Sequence, residues 1–84
     1  MIDKNSEEFK VWGEAYKLRD KWKNNPDLFT DEGFKRMTKD TADLYGKYKN
    51  TDGEQAACFL CLAIREMCNE DWKERQNGKD NAKG

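Results

Sequence analysis

The sequence predicts an all-α fold, a small up-down-up three-helix bundle with a disordered C-terminal tail. Three observations carry this reading. Apolar residues recur at helical spacing in three stretches. Stop signals, Asn24-Asn25-Pro26 and Asn50-Thr51-Asp52-Gly53, separate those stretches. The run Ala56–Ile64, AACFLCLAI, holds no charged side chain in a chain that is 39% charged. It is too short for a bilayer, which needs about 20 apolar residues. It is apolar all round a helix, which signals burial on every side and makes the third helix the most buried member.

The first helix is expected over about residues 6–23. Asn5 or Ser6 caps it, Glu7 and Glu8 occupy its first turn, and Asn5 with Glu8 has capping-box spacing. The second is expected over about 31–49, capped by Thr30, with Asp31 and Glu32 at its start and Lys47 and Lys49 at its end. The third is expected over about 54–76, capped by Thr51 or Asp52 and closed by Lys73, Arg75 and Asn77-Gly78. Acids at helix starts and bases at helix ends suit the helix dipole. Residues 1–78 form one helical domain, and residues 79–84, without an apolar side chain, form the disordered tail. Gly13 and Gly33 should weaken their helices by about 1 kcal/mol each relative to Ala.

At 100° per residue, Phe9, Trp12, Ala15, Tyr16, Leu18 and Trp22 share one half of the first helix. Phe34, Met37, Thr41, Ala42, Leu44, Tyr45 and Tyr48 share one half of the second. Ala56, Ala57, Leu60, Cys61, Ile64, Met67, Cys68 and Trp72 fill an arc of about 160° on the third. These are the expected core faces. Short connections make sequential helices antiparallel.

A surplus remains on the third helix: Cys58, Phe59 and Leu62 project away from its core face. Two readings cover them. Leu28-Phe29 or Met1-Ile2 folds over them, or they form a protein–protein interface, most simply a homodimer that packs the third helix on its copy. Burying Phe59 or Leu62 is worth roughly 1.5–3 kcal/mol each, a large sum for a chain of this size.

Charge and composition narrow the function. Sixteen basic and seventeen acidic residues leave a net charge of −1, with no bulk attraction for nucleic acid or anionic lipid. The mean hydropathy is −1.22, but ten aromatic residues set the chain apart from disordered sequences, which lack them. Met1-Ile2-Asp3-Lys4 leads into no apolar stretch, so no secretory signal is expected. Cys58, Cys61 and Cys68 are odd in number and point to a reducing, cytoplasmic compartment. Their spacing, C-x2-C-x6-C, lacks a fourth Cys or any His for a structural zinc site, so they read as core thiols, with no metal and no cofactor. A cysteine-dependent metal or redox protein is the remote third class.

Catalysis is not expected. The chain has no histidine and no Gly-rich phosphate loop, and Asp40 with Asp43 lacks the rest of a calcium loop. The basic residues Lys17, Arg19, Lys21 and Lys23 cluster about Trp22, and Glu66, Glu70 and Glu74 form an acidic row. Mutual neutralisation is the expectation, since the first and third helices run parallel and both rows sit at one end. The alternatives are a basic-aromatic patch for a polyanion, or an acidic stripe for a basic groove. The style of composition is similar to small accessory proteins of phages and mobile elements, a likeness that no motif carries and that assigns no site. The leading reading is therefore a non-enzymatic interaction module, a regulator, adaptor or inhibitor binding itself or another protein. A nucleic-acid-binding accessory protein is the alternative.

Overall fold

Ser6 starts the first helix. Its Oγ accepts the Phe9 amide at 3.2 Å and so satisfies one of the donors that a helix start leaves open. The computed structural model describes residues 2–83, with side chains through Arg75. It contains α1 (Glu7–Trp22), α2 (Asp31–Tyr48), α3 (Glu54–Lys83) and a 3-10 turn at Pro26–Phe29. Thr30 caps α2 as expected, its Oγ1 accepting from the Gly33 amide at 3.0 Å. The expected caps of α3 are displaced: Gly53 precedes the helix, its carbonyl accepting from Ala57, while Thr51 Oγ1 accepts from the Gly53 amide in the turn before it. Thr51 thus builds the turn rather than the cap, because it lies a residue or two too early to reach the first free amides. The backbone of α3 continues past the expected stop at Asn77-Gly78, and the expected disordered tail, residues 79–84, lies outside the residues whose side chains are described.

Each connection turns on an asparagine with positive φ. Asn24 (62°) and Asn50 (66°) follow the last residues of α1 and α2, where a left-handed residue ends a helix. Asparagine, like aspartate, tolerates that conformation better than most non-glycine side chains.

The three helices form an up-down-up bundle. α1 and α3 run parallel: Gly53 lies beside Glu7 and Val11, and Arg19 reaches Cys68 and Asp71. α2 runs antiparallel to both, and α3 packs more extensively on α1 and α2 than those two pack on each other. The core is Val11, Ala15 and Trp22 of α1, Leu28 of the turn, Met37, Leu44 and Tyr48 of α2, and Ala57, Cys61, Ile64 and Cys68 of α3. Thr41 is its one buried polar side chain among the described residues, and it is fully bonded: Oγ1 donates to the Thr38 carbonyl at 2.7 Å and accepts from Arg65 Nε at 2.8 Å. The Thr41 carbonyl also accepts from Cys61 Sγ at 3.0 Å.

The expected core faces need three corrections. On α1 the buried residues are Val11, Ala15 and Trp22, with Leu18 partly buried beside them, while Phe9, Trp12 and Tyr16 are exposed. The reason is size. α1 and α3 approach through Val11, Ala15, Gly53 and Ala57, so closely that a Cβ on Gly53 would lie 2.8 Å from Val11 Cγ2 and 3.1 Å from the Glu7 backbone. Aromatic rings do not fit such a seam. On α2, Ala42 is exposed beyond the contact arc. On α3, Met67 is exposed beside the α1 aromatics rather than under them.

Gly33 also differs from its expected role as a weak spot. A Cβ there would collide with the Asp27 carbonyl and come within 3.0 Å of Thr30 Oγ1, so glycine lets the 3-10 turn close on the start of α2. That closure seats Leu28, which is fully buried.

Candidate interaction surface

α1 presents two stripes. Val11, Ala15, Leu18 and Trp22 span about 60° and face the core. Phe9, Trp12 and Tyr16 stand on the neighbouring side, next to α3. There they meet the outward side of α3, so that Trp12 and Tyr16 share one groove with Leu60, Ala63 and Met67, and Trp12 shares another with Ala56 and Phe59. The exposed fractions are large: Phe9 46%, Trp12 50%, Tyr16 74%, Phe59 62%, Leu62 51% and Met67 41%. Taking about 200 Å² for each large side chain, the five on the α1/α3 side, without Leu62, expose roughly 550 Å² of apolar surface. That is the upper end of the largest patch on an ordinary monomer, about 300–600 Å².

Cys58, Phe59 and Leu62 are all exposed, and the loop does not cover them. Leu28 is buried at the opposite end of the bundle, and Phe29 lies there too, with the Arg75 guanidinium 4.5 Å from its ring centre. Ile2 is itself exposed, and Met1 lies outside the described residues. Cys58 and Leu62 turn toward α2, where they line a second shallow groove with Ala42, Tyr45 and Arg65.

The basic cluster is divided by the fold. Trp22 is buried, and its Nε1 donates to Asp40 Oδ2 at 3.0 Å. Lys21 Nζ donates to the same oxygen at 2.8 Å. Burial pushes the Asp40 carboxyl up, but these two bonds outweigh it and hold the group below the usual carboxylate range. Arg19 Nη2 lies 2.8 Å from Asp71 Oδ2, an ion pair off hydrogen-bond alignment, and Nη1 donates to Cys68 Sγ at 3.5 Å. The expected pairing with the acidic row is therefore replaced. The partners are Asp40 and Asp71, because Asp71 borders the α1 seam whereas Glu66, Glu70 and Glu74 turn outward. Glu70 pairs with Lys73 on its own helix, and Lys17, Lys23, Glu66 and Glu74 have no ion pair among the described residues.

The α1/α2 seam is polar as well. Glu14 accepts from Lys47 Nζ at 2.6 Å and from the Tyr48 hydroxyl. These bonds lower the Glu14 carboxyl, while burial and the same carboxylate push Tyr48 up to about 12.

The thiols do not converge. Cys61 faces α2, Cys68 faces Arg19 on α1, and Cys58 faces outward. Burial pushes the Cys61 and Cys68 thiols up, away from the reactive thiolate. No cluster of three His, Cys, Asp or Glu side chains suited to a metal is found among the described residues.

Reasoning from the sequence missed Phe9, Trp12 and Tyr16 as surface residues. The signal was present in Val11, whose 4-3-4 spacing with Ala15, Leu18 and Trp22 makes a narrower stripe than the aromatic one. No described helix is long and apolar enough to cross a membrane. No family model, no curated protein and no solved structure matches the chain.

Proposed function

We propose that the protein is a non-enzymatic interaction module that binds a protein chain through the face shared by α1 and α3. The observation that carries this reading is the aromatic stripe Phe9, Trp12 and Tyr16 beside Phe59 and Met67, exposed in a chain small enough to need every apolar contact. Aromatic residues and methionine are enriched at interface centres, and rings with few rotatable bonds bind at low entropic cost. Of the interface set from the sequence, Phe59 belongs to this face, while Cys58 and Leu62 turn toward α2.

Polar groups in the bundle serve packing. Glu14, Asp40, Thr41 and Arg65 are engaged in bonds between helices, which supports a scaffold rather than a catalyst. Trp22 is unavailable for stacking on a base, and Arg19 and Lys21 are paired, so the polyanion reading loses its centre. A reducing, cytoplasmic setting belongs to the same proposal, supported by three free thiols of which two are core residues.

A photo-crosslinking amino acid in place of Tyr16 tests the reading in cells, with the same group in place of the exposed Lys39 on α2 as control. The expected result is a discrete protein adduct, to self or to another chain, from position 16 and not from position 39. No adduct from either site, or the same pattern from both, would overturn it.

A further inference from the structure

We infer that the occupant of this face is a second copy of the chain, related by a two-fold axis parallel to the helices, so that α1 of each copy lies over α3 of the other. The inference rests on the interaction reading above and adds the identity and orientation of the partner.

Three observations argue for it. The first is area. A standard interface buries about 800 Å² per partner, of which a little over half is apolar, and the roughly 550 Å² exposed here meets that requirement for two identical faces. The second is charge order along the two rims. The Arg19–Asp71 contact and the shared groove of Trp12 with Leu60 and Ala63 set the level of α1 against α3. Lys17 then stands level with Glu66, and Asp20 lies within about one turn of Lys73. A two-fold axis along the helices puts the α1 rim of one copy, positive then negative, over the α3 rim of the other, negative then positive. Neither Lys17 nor Glu66 nor Asp20 has an ion pair among the described residues, and Lys17 stands at the outer edge of α1, beside the α1/α2 groove that holds Glu14. The antiparallel choice would set α1 on α1 and forgo the pairing of Lys17 with Glu66.

The third is a notch. Gly13 sits on the exposed side of α1, between Phe9 and Tyr16, with nothing within 4 Å of where a Cβ would stand. A mid-helix glycine costs helix stability, and on this face its missing side chain leaves room for a second backbone. At this level of the bundle α3 presents Ala63, a small side chain on the α1 side of that helix. The two backbones can approach where Ala63 of one copy meets Gly13 of the other, and the symmetry makes the contact twice.

The test is sedimentation of the purified full chain at increasing concentration, with three variants. Wild type is expected to be dimeric in the tens of micromolar. Lys17→Glu and Glu66→Lys each place like charges across both symmetric contacts and should each weaken dimerisation by about tenfold. Mixed together they should form a heterodimer more tightly than either forms its homodimer, because both contacts become opposite in sign. A contact within one chain cannot give that rescue. Gly13→Leu should abolish the dimer while circular dichroism shows a folded monomer, and Gly46→Leu, at the other open mid-helix glycine, should leave it intact. A wild-type chain that stays monomeric at several hundred micromolar would overturn the inference. So would a dimer with no gain on mixing the charge variants. In either case a discrete adduct from position 16 to another protein would leave the interaction reading standing.

Discussion

The two seams of α1 differ in what closes them. Toward α2, the boundary is polar at its edge, with Glu14 held by Tyr48 and Lys47, and Asp40 held by Trp22 and Lys21. Each of those groups is matched inside the chain. Toward α3, the boundary is tight and apolar beneath, through Val11, Ala15, Gly53 and Ala57, but its upper side is open, with the larger rings displaced outward. The difference teaches that side-chain size decides which apolar stripe of a helix becomes core. Small residues admit a neighbouring backbone, and the larger rings Phe9, Trp12 and Tyr16 are left exposed.

The largest expected effect lies at the closed end. Leu28 is fully buried where the 3-10 turn meets α2 and α3, so Leu28→Ala should lower stability by about 3 kcal/mol in urea unfolding, enough to unfold much of a domain this size. Gly33→Ala should act on the same end by forcing the turn off α2. If either were tolerated without loss, that end would not be the anchor described.

The polar seam should respond to pH. Glu14 and Asp40 have lowered pKa values in the fold, so their stabilisation is present above the ordinary carboxylate range, near 4, and is lost as pH falls through the lowered values. Urea midpoints at pH 7, 5 and 3 should fall at the acid end, and Glu14→Gln should flatten that fall. Tyr48 is raised from its ordinary value of 10 to about 12. Its contribution is present below pH 10 and disappears as pH rises toward 12. Tyr48→Phe should remove that alkaline loss.

Bundle topology was legible in the sequence because caps, stops and apolar periodicity act locally. Ser6, Thr30, Pro26 and the asparagine turns each mark a boundary without reference to the rest of the chain. The face of α1 was not, because the choice between Val11 and Phe9 depends on how near α3 comes. That distance is set by Gly53 and Ala57, some 40 residues away in sequence. The ion pairs were hidden for the same reason: like-charge spacing displayed the rows, but only the seam selects Asp71 over Glu70. Phe59 and Leu62 could be found because an all-round apolar helix announces more surface than two neighbours cover.

Smaller effects sharpen the contrast at the open glycines. Gly46→Ala has open space around the added methyl and should raise stability by about 0.5–1 kcal/mol through helix propensity. An unchanged or lowered melting temperature would mean that this side of α2 is engaged after all.

The central claim is that Trp12 and Phe59 belong to an interface and not to the core. The direct measurement is urea unfolding of the Trp12→Glu, Phe59→Glu double variant, followed by circular dichroism and by light scattering. A helical, cooperatively unfolding monomer is the predicted result. A chain that has lost its helical signal in water would contradict it, since both rings would then be holding the bundle together.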